Sequence, residues 1–298
     1  MSDPLAQVVG LLRPNTSVSK LVIAAGVWAV RRSDDGLPFY CAVLDGACRL
    51  SVEGQEPVTL RSGDFVLVPA AHDFVTSSLT QPPIGIDPEI VEMSPGVYRL
   101  GNPILPPDVR MLVGHCSFGS DDAALLLSLL PRLVHVRADK RLIALVELVN
   151  DETRRDRPGR SVVLARLLEV LLIEALRSTT GQVSPPGLLC GLCDDRLAIA
   201  LRKMHACPEK TWTVVDLAKT AALSRSSFFD RFRRKVGVTP MEYLLGWRMT
   251  LAKDLLRRER MGVAEVAERV GYSSASTFSV AFSRHVGTPP ACYARAVS

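Results

Sequence analysis

Three sets of side chains in this 298-residue chain have the types and spacing to do chemistry. The first is a pair of polar stripes near the C-terminus. One holds Arg225, Ser226, Ser227, Phe229, Asp230, Arg233 and Arg234; the other holds Ser274, Ala275, Ser276, Ser279, Val280 and Arg284. Such groups at one-turn spacing suit the edges of bases and the oxygens of phosphates. Asp230 can accept from cytosine N4, Val280 or Ala275 can touch a thymine methyl, and the run Arg231, Arg233, Arg234, Lys235 can reach phosphate. The second set is Cys190-x-x-Cys193, a redox pair or, with Cys207 and His205 recruited, a zinc site. No second cysteine pair follows at zinc spacing, which favours a thiol switch that stiffens the joint on oxidation. The third set is His72 and His115, each without a partner at ligand spacing, and each more ordinary as a surface or hydrogen-bonded histidine than as a metal ligand.

The elements that position the first set say nearly the same thing twice. Val214 to Tyr243 reads VVDLAKTAALSRSSFFDRFRRKVGVTPMEY, and Val263 to Tyr293 reads VAEVAERVGYSSASTFSVAFSRHVGTPPACY. Asp216 pairs with Glu265, Ala218 with Ala267 and Leu223 with Tyr272. After one extra residue near Ser274, Phe228 meets Phe278, Phe232 meets Phe282, Gly237 meets Gly287 and Pro240 meets Pro290. This is an internal repeat. Each copy predicts a short amphipathic helix, a tight turn, and a second helix with one Phe stripe and one polar stripe, closed by a left-handed glycine. That is the helix-turn-helix pattern. Thr213 with Asp216 resembles a capping box for the first helix.

Charge points to the partner of the polar stripes. Residues 195–298 carry 18 Lys+Arg against 9 Asp+Glu, whereas residues 1–194 carry 18 against 22. A segment of +9 on a mildly acidic remainder suits a polyanion, and double-stranded DNA is the expected one.

The last hundred residues resemble the DNA-binding domain of the AraC/XylS family of bacterial transcription regulators, through VAERVGYSSASTFSVAFSRHVGTPPACY above all. The resemblance implies a helix linking the two copies, here Met241 to Arg258, with Thr239, Pro240 and Glu242 as its N-cap, first-turn proline and capping-box partner. It also implies two recognition helices entering successive major grooves about 34 Å apart, contact with RNA polymerase, and a role as an activator. Family members often carry arginine or glutamine where this chain has Asp230 and Val280. That departure suggests that the second copy serves mainly as a backbone anchor.

Upstream, residues 20–115 read as short strands with turn residues between them, a small barrel or sandwich. LRSGDFVLVPAAHDF resembles the second half of a cupin barrel, and the whole resembles the cupin-type sensor domain of one AraC branch. Tyr40-Cys41-Ala42 stands where an enzymatic cupin has its histidine pair, so the barrel reads as metal-free and non-catalytic, without a cofactor. Cys41, Cys48 and Cys116 read as small buried hydrophobes. From Ala123 the period becomes helical. Leu142, Leu145, Val146 and Val149 share one face, Pro158-Gly159 breaks the helix, and residues 161–177 are apolar over more than one stripe. In the resembling family such a helix pair makes a homodimer, and that reading is favoured over packing on the barrel alone.

The expected organisation is α+β in two domains. A cupin-like sensor and dimerisation domain spans 1–180, a Ser/Pro/Gly-rich linker 181–194, and an all-α domain with two helix-turn-helix units 195–298. The chain has no run of 18 apolar residues, and its start is too short and weakly charged for a signal peptide, so a cytoplasmic protein is expected. The function expected is a transcription regulator controlled by a small-molecule effector or an oxidant. The competing readings are a metal-dependent cupin enzyme fused to a DNA anchor, and a purely architectural DNA binder.

Overall fold

A computed structural model describes residues 3–33, 37–70, 73–80, 90–118, 127, 130–155, 157–178, 186–258 and 261–295. Contacts divide the chain into two compact units, Leu12–Gln182 and Met1–Leu11 with Val183–Ser298.

The first unit holds β1 (Pro14–Ala25), β2 (Ala29–Ser33), β3 (Phe39–Asp45), β4 (Ala47–Val52), β5 (Val58–Arg61), β6 (Phe65–Val68), β7 (Asp73–Ser77), β8 (Ile90–Ser94), β9 (Val97–Gly101), β10 (Val109–Phe118) and β11 (Val134–Val136). A seven-stranded sheet runs β11-β6-β3-β10-β1-β9-β8, and a four-stranded sheet runs β2-β7-β4-β5. Alternation of period two fills the space between them. Val22 and Ala24 of β1, Phe39, Cys41 and Val43 of β3, and Met111 and Val113 of β10 share one core with Leu50, Leu60 and Phe74 of the smaller sheet.

Of the stretch where a helical period is expected from residue 123, Leu127 is helical and residues 119–126 and 128–129 lie outside the described residues; a further helix begins at Lys140. Val134–Val136 is a strand, because a β-branched Val-His-Val run satisfies the open edge of β6. β11 adds His135 to the histidines of the sheet, beside His115. His135 Nε2 lies 3.2 Å from Asp64 Oδ2, and His72 lies outside the described residues.

Helices α2 (Lys140–Arg154) and α3 (Arg160–Arg177) follow, separated at the Pro158-Gly159 break. They pack on each other and on β1. Leu142, Val146 and Val149 of α2 and Leu164, Leu168, Leu171, Leu172, Ala175 and Leu176 of α3 are buried. The second apolar stripe of α3 stays uncovered, with Val162, Val163 and Val170 exposed by 64%, 43% and 41%.

The second unit begins with a helix outside the sequence-based expectations, α1 (Pro4–Leu12), started by Asp3, whose carboxylate accepts from Leu5 N at 3.0 Å. Contacts group the chain up to Leu11 with the C-terminal helices, a stretch that the sequence reading places in the sensor domain. The stripe Leu5, Val8 and Val9 of this helix is buried, at 5% exposure or less. Nine residues are too few for a helix stable by itself, so packing must hold it. The unit continues through α4 (Leu188–Leu192), α5 (Asp195–Ala206), α6 (Val214–Thr220), α7 (Arg225–Val236), α8 (Pro240–Arg258), α9 (Val263–Arg269), α10 (Ala275–Val286) and α11 (Pro290–Arg295). Part of the stretch expected as linker, 181–194, is packed. Leu188 and Leu189 are buried, and an added Cβ at Gly191 would come within 2.8 Å of Val236 and 2.9 Å of Leu201. Apolar residues there join α4 to the core of this unit.

Candidate nucleic-acid interface

Each helix-turn-helix is built on a ring triad. In the first, Phe228 and Phe232 pack with tilted rings at 5.6 Å and Phe232 meets Tyr243 at 5.8 Å; in the second, Phe278, Phe282 and Tyr293 are spaced 5.5 and 5.4 Å apart. All four phenylalanines are fully buried. The linking helix α8 serves both cores, giving Tyr243, Leu244 and Trp247 to one side and Met249, Ala252 and Leu256 to the other. Its start is the expected capping box. Thr239 N donates to Glu242 Oε2 at 2.9 Å, and Glu242 N donates to Thr239 Oγ1 at 3.4 Å. Donation from the Thr239 backbone N–H, and then from its side chain, holds the Glu242 carboxyl below the usual range. The Thr213–Asp216 box at α6 is present as well.

The repeat extends to the backbone. The turns of both copies pass through a left-handed residue, Ala222 at φ 51° and Gly271 at φ 84°. Gly237 and Gly287 close α7 and α10 at φ 90° and 82°. Ser224 caps α7 by accepting from Ser227 N, and Ser274 caps α10 by accepting from Thr277 N, both at 3.2 Å. Ser274, expected as a DNA contact, is the exposed N-cap of its helix. The Ser227 hydroxyl accepts from Ser224 at 2.9 Å.

With the Phe stripes inside, the opposite stripes face solvent. On α7, Arg225, Ser226, Ser227, Asp230, Arg233 and Arg234 are exposed and Phe229 is half-buried. On α10, Ser276, Val280 and Arg284 are exposed, while Ala275 and Ser279 are half-buried. Ser279 spends its hydroxyl proton on Ala275 O at 2.7 Å, which leaves its lone pairs for a base donor.

Arg231 separates from the rest of its basic run. Its Nε donates to Asp194 Oδ2, and Asp194 also accepts from the backbone of Arg196 and Leu197 as the N-cap of α5. Burial alone would push the Asp194 carboxyl up, but the Arg231 bond and the two backbone donors hold it below the ordinary range. Arg231 thus ties α5 to the recognition helix through its Nε, with its side chain 40% exposed.

Two polar residues organise the same unit: His205, which the sequence offered only as a recruited zinc ligand, and Gln7, which it did not single out. His205 is 2% exposed, stacks on Trp247 at 4.0 Å, and bonds to Tyr243 Oη at 2.7 Å and to Gln7 Oε1 of α1 at 2.9 Å. Burial pushes its pKa down to about 3, so the ring is neutral. A neutral imidazole then donates from Nδ1 to Gln7 and accepts at Nε2 from Tyr243. His205 is accordingly a buried structural group, not a member of a zinc site with Cys207. Among the described residues no group of three or more His, Cys, Asp or Glu side chains could hold a metal ion.

Cys190 lies half-buried on α4 and Cys193, its exposed C-cap, lies one turn on; α4 packs against α5 and α7. In the barrel, Cys41, Cys48 and Cys116 are buried. The hydrogen bond with Cys48 and burial raise Cys41 well above the ordinary thiol value, and burial pushes Cys116 up to about 12. Both are inert thiols at neutral pH.

Comparison with known proteins gives the same two parts. Residues 3–181 match a family described as Cupin, and residues 217–296 one described as a helix-turn-helix domain. The chain is similar to an AraC-like transcription regulator of Streptomyces lividans, 36% identical over 98% of this chain and 97% of that protein. It is also similar to the HTH-type transcriptional regulator AlkR of Acinetobacter baylyi, 29% identical over 98% of each. Among solved structures it resembles the DNA-binding domain of AdpA in complex with a target DNA, with 32% identity, a TM-score of 0.33, and coverage of 35% of this chain and 92% of that one. No helix among the described residues is long and apolar enough to cross a membrane. Matched over nearly its whole length, the chain belongs to the AraC-like transcription regulators, with a cupin domain followed by a helix-turn-helix domain that binds DNA.

Proposed function

We propose that α7 and α10 are the two recognition helices, entering successive major grooves of one operator, and that the barrel unit governs when they do so. The observation that carries this reading is the doubled arrangement of a buried Phe pair beneath an exposed polar stripe, set on a segment with 18 basic and 9 acidic residues. Arg225, Ser226, Asp230, Arg233 and Arg234 read or anchor DNA in the first copy. Ser276, Ser279, Val280 and Arg284 do so in the second, with Ala275 placed for a thymine methyl. The site works without a cofactor.

The uncovered stripe at Val162, Val163 and Val170 supports a homodimer formed through α3, since exposed apolar patches of that kind mark interaction surfaces. Activation through RNA polymerase, in the cytoplasm, is the mode of action this organisation suits. Oxidation of Cys190 and Cys193 is a second input, favoured by the packing of α4 on α7. A metal-dependent cupin enzyme would need ligands that β3 lacks at Tyr40, Cys41 and Ala42; metal analysis of the purified protein, with stoichiometric bound metal as the contrary result, tests it.

Capture of genomic fragments by the full-length protein, followed by sequencing and gel shift, tests the main reading. A shared motif with two half-sites one helical turn apart is expected. Capture of random fragments, or of a motif unaffected by Asp230→Ala and Ser276→Ala, would overturn the assignment of the recognition helices.

A further inference from the structure

The two sheets of the barrel enclose a cavity of about 140 Å³, and Ile90, 53% exposed, marks its mouth. Val22, Phe39, Leu100, Met111 and Val113 give it apolar walls. The same walls carry two cationic side chains, Lys20 and Arg32, both half-buried. Strand phase explains how they come to be there. Lys20 shares the inward phase of β1 with Val22 and Ala24, and Arg32 shares that of β2 with Val30. Lys20 Nζ stands 4.8 Å from the centroid of the Tyr98 ring, which also lines the cavity. No carboxylate lines it among the described residues.

Charged groups turned toward an apolar interior are costly without a counter-charge, and strands that bury one face normally keep such residues on the other. Two inward cations on facing strands, beside a wall of methyl and aromatic groups, therefore describe a receptor for a molecule with one anionic end and a hydrocarbon body. Size narrows it further. A cavity of about 150 Å³ admits benzene, so the body has room for one ring or a short chain.

We propose that this cavity binds a small apolar monocarboxylate, with the carboxylate at Lys20 and Arg32 and the hydrocarbon against Phe39, Met111 and Val113. The proposal rests on the reading of the barrel as the sensing unit and names the chemical class of its effector.

Titration calorimetry on the full-length protein with benzoate and hexanoate, set against benzamide and hexanamide, tests it. The amides keep the shape and lose the charge. The carboxylates are expected to bind at least about ten-fold tighter than their amides, since a charge-assisted contact is lost. Lys20→Met and Arg32→Met are each expected to weaken benzoate by about ten-fold, while Lys20→Arg, which keeps the charge, retains most of the affinity. Amides that bind as well as the acids, or Lys20→Met binding benzoate like the unaltered protein, overturn the proposal. So does an absence of binding by all four compounds. Gel shifts on captured genomic fragments run alongside. DNA binding without carboxylate binding removes the cavity assignment and leaves the DNA reading intact. Carboxylate binding with no DNA binding does the reverse.

Discussion

Gln7 and His205, 198 positions apart in sequence, meet side chain to side chain at 2.9 Å inside the helical unit. The first helix of the chain is thus a working part of the unit that carries the recognition helices. Chain order then gives this contact a further meaning. Arg13 alone separates α1 from β1, the strand that supplies Lys20 and Val22 to the barrel cavity.

The neutral state of His205 makes stability depend on pH in a definite direction. Its folded pKa of about 3 lies below the unfolded value, so the unfolded chain binds the extra proton as pH falls. The contribution is complete above about pH 6.5 and is lost progressively toward pH 3, at up to about 1.4 kcal/mol per pH unit. Denaturant titrations between pH 7 and pH 4 should show that slope. His205→Gln should flatten it, and an unaltered slope would mean that another group titrates.

Helix α1 should behave as core. Val8 and Val9 are fully buried, so Val8→Ala and Val9→Ala are each expected to cost roughly 1–3 kcal/mol. The loss should appear in unfolding of the helical unit, followed through the fluorescence of Trp212 and Trp247. Loss confined to the barrel signal would show that α1 belongs there.

The arginines of α7 divide by role. Arg233→Ala or Arg234→Ala should weaken DNA binding and lower the slope of log affinity against log salt by about one unit each. Arg231→Ala should instead destabilise the fold by about 1–3 kcal/mol, because the Asp194 carboxylate, 4% exposed, loses its charged partner. A salt slope unchanged by the first two substitutions would remove those residues from the interface.

The two turns respond in opposite senses to the same exchange. Ala222 occupies a left-handed conformation that L side chains disfavour, so Ala222→Gly should stabilise by roughly 0.5–1 kcal/mol. Gly271→Ala should destabilise more than that gain. Its Cβ would approach the Glu209 carbonyl oxygen and Arg248 Nη2 to 2.6 Å, forcing Arg248 off the carbonyls of Pro208 and Lys210 that it bridges. Heat denaturation of both variants checks the pair.

Much of the site was legible in the sequence because it is local. Phe228 and Phe232, repeated at 278 and 282, lie one turn apart, and that spacing alone puts them on one side of a helix. Thr239 with Glu242, and Gly237 with Gly287, are signals written within a few residues of where they act. Less legible were residues whose role depends on a distant partner. Arg231 read only as a phosphate contact, and its bond to Asp194 came from the fold. Val134–Val136 read as the approach to a helix until the edge of β6 took it up. Leu188–Leu192 sat in a linker by composition, yet its leucines and Gly191 fill space beside Val236.

By itself the sequence determined that a helix-turn-helix was made twice, where each began and ended, which residues faced inward, and that a barrel preceded it. Helix period, capping and strand alternation depend on neighbours within one or two turns, so they can be read from the chain alone. Only the tertiary structure decided that α1 joins the far end of the chain, that His205 is a buried neutral hub, and that Lys20 and Arg32 line one cavity. Those outcomes come from packing between segments far apart in sequence, where burial and charge are fixed by the assembled core and not by any local run of residues.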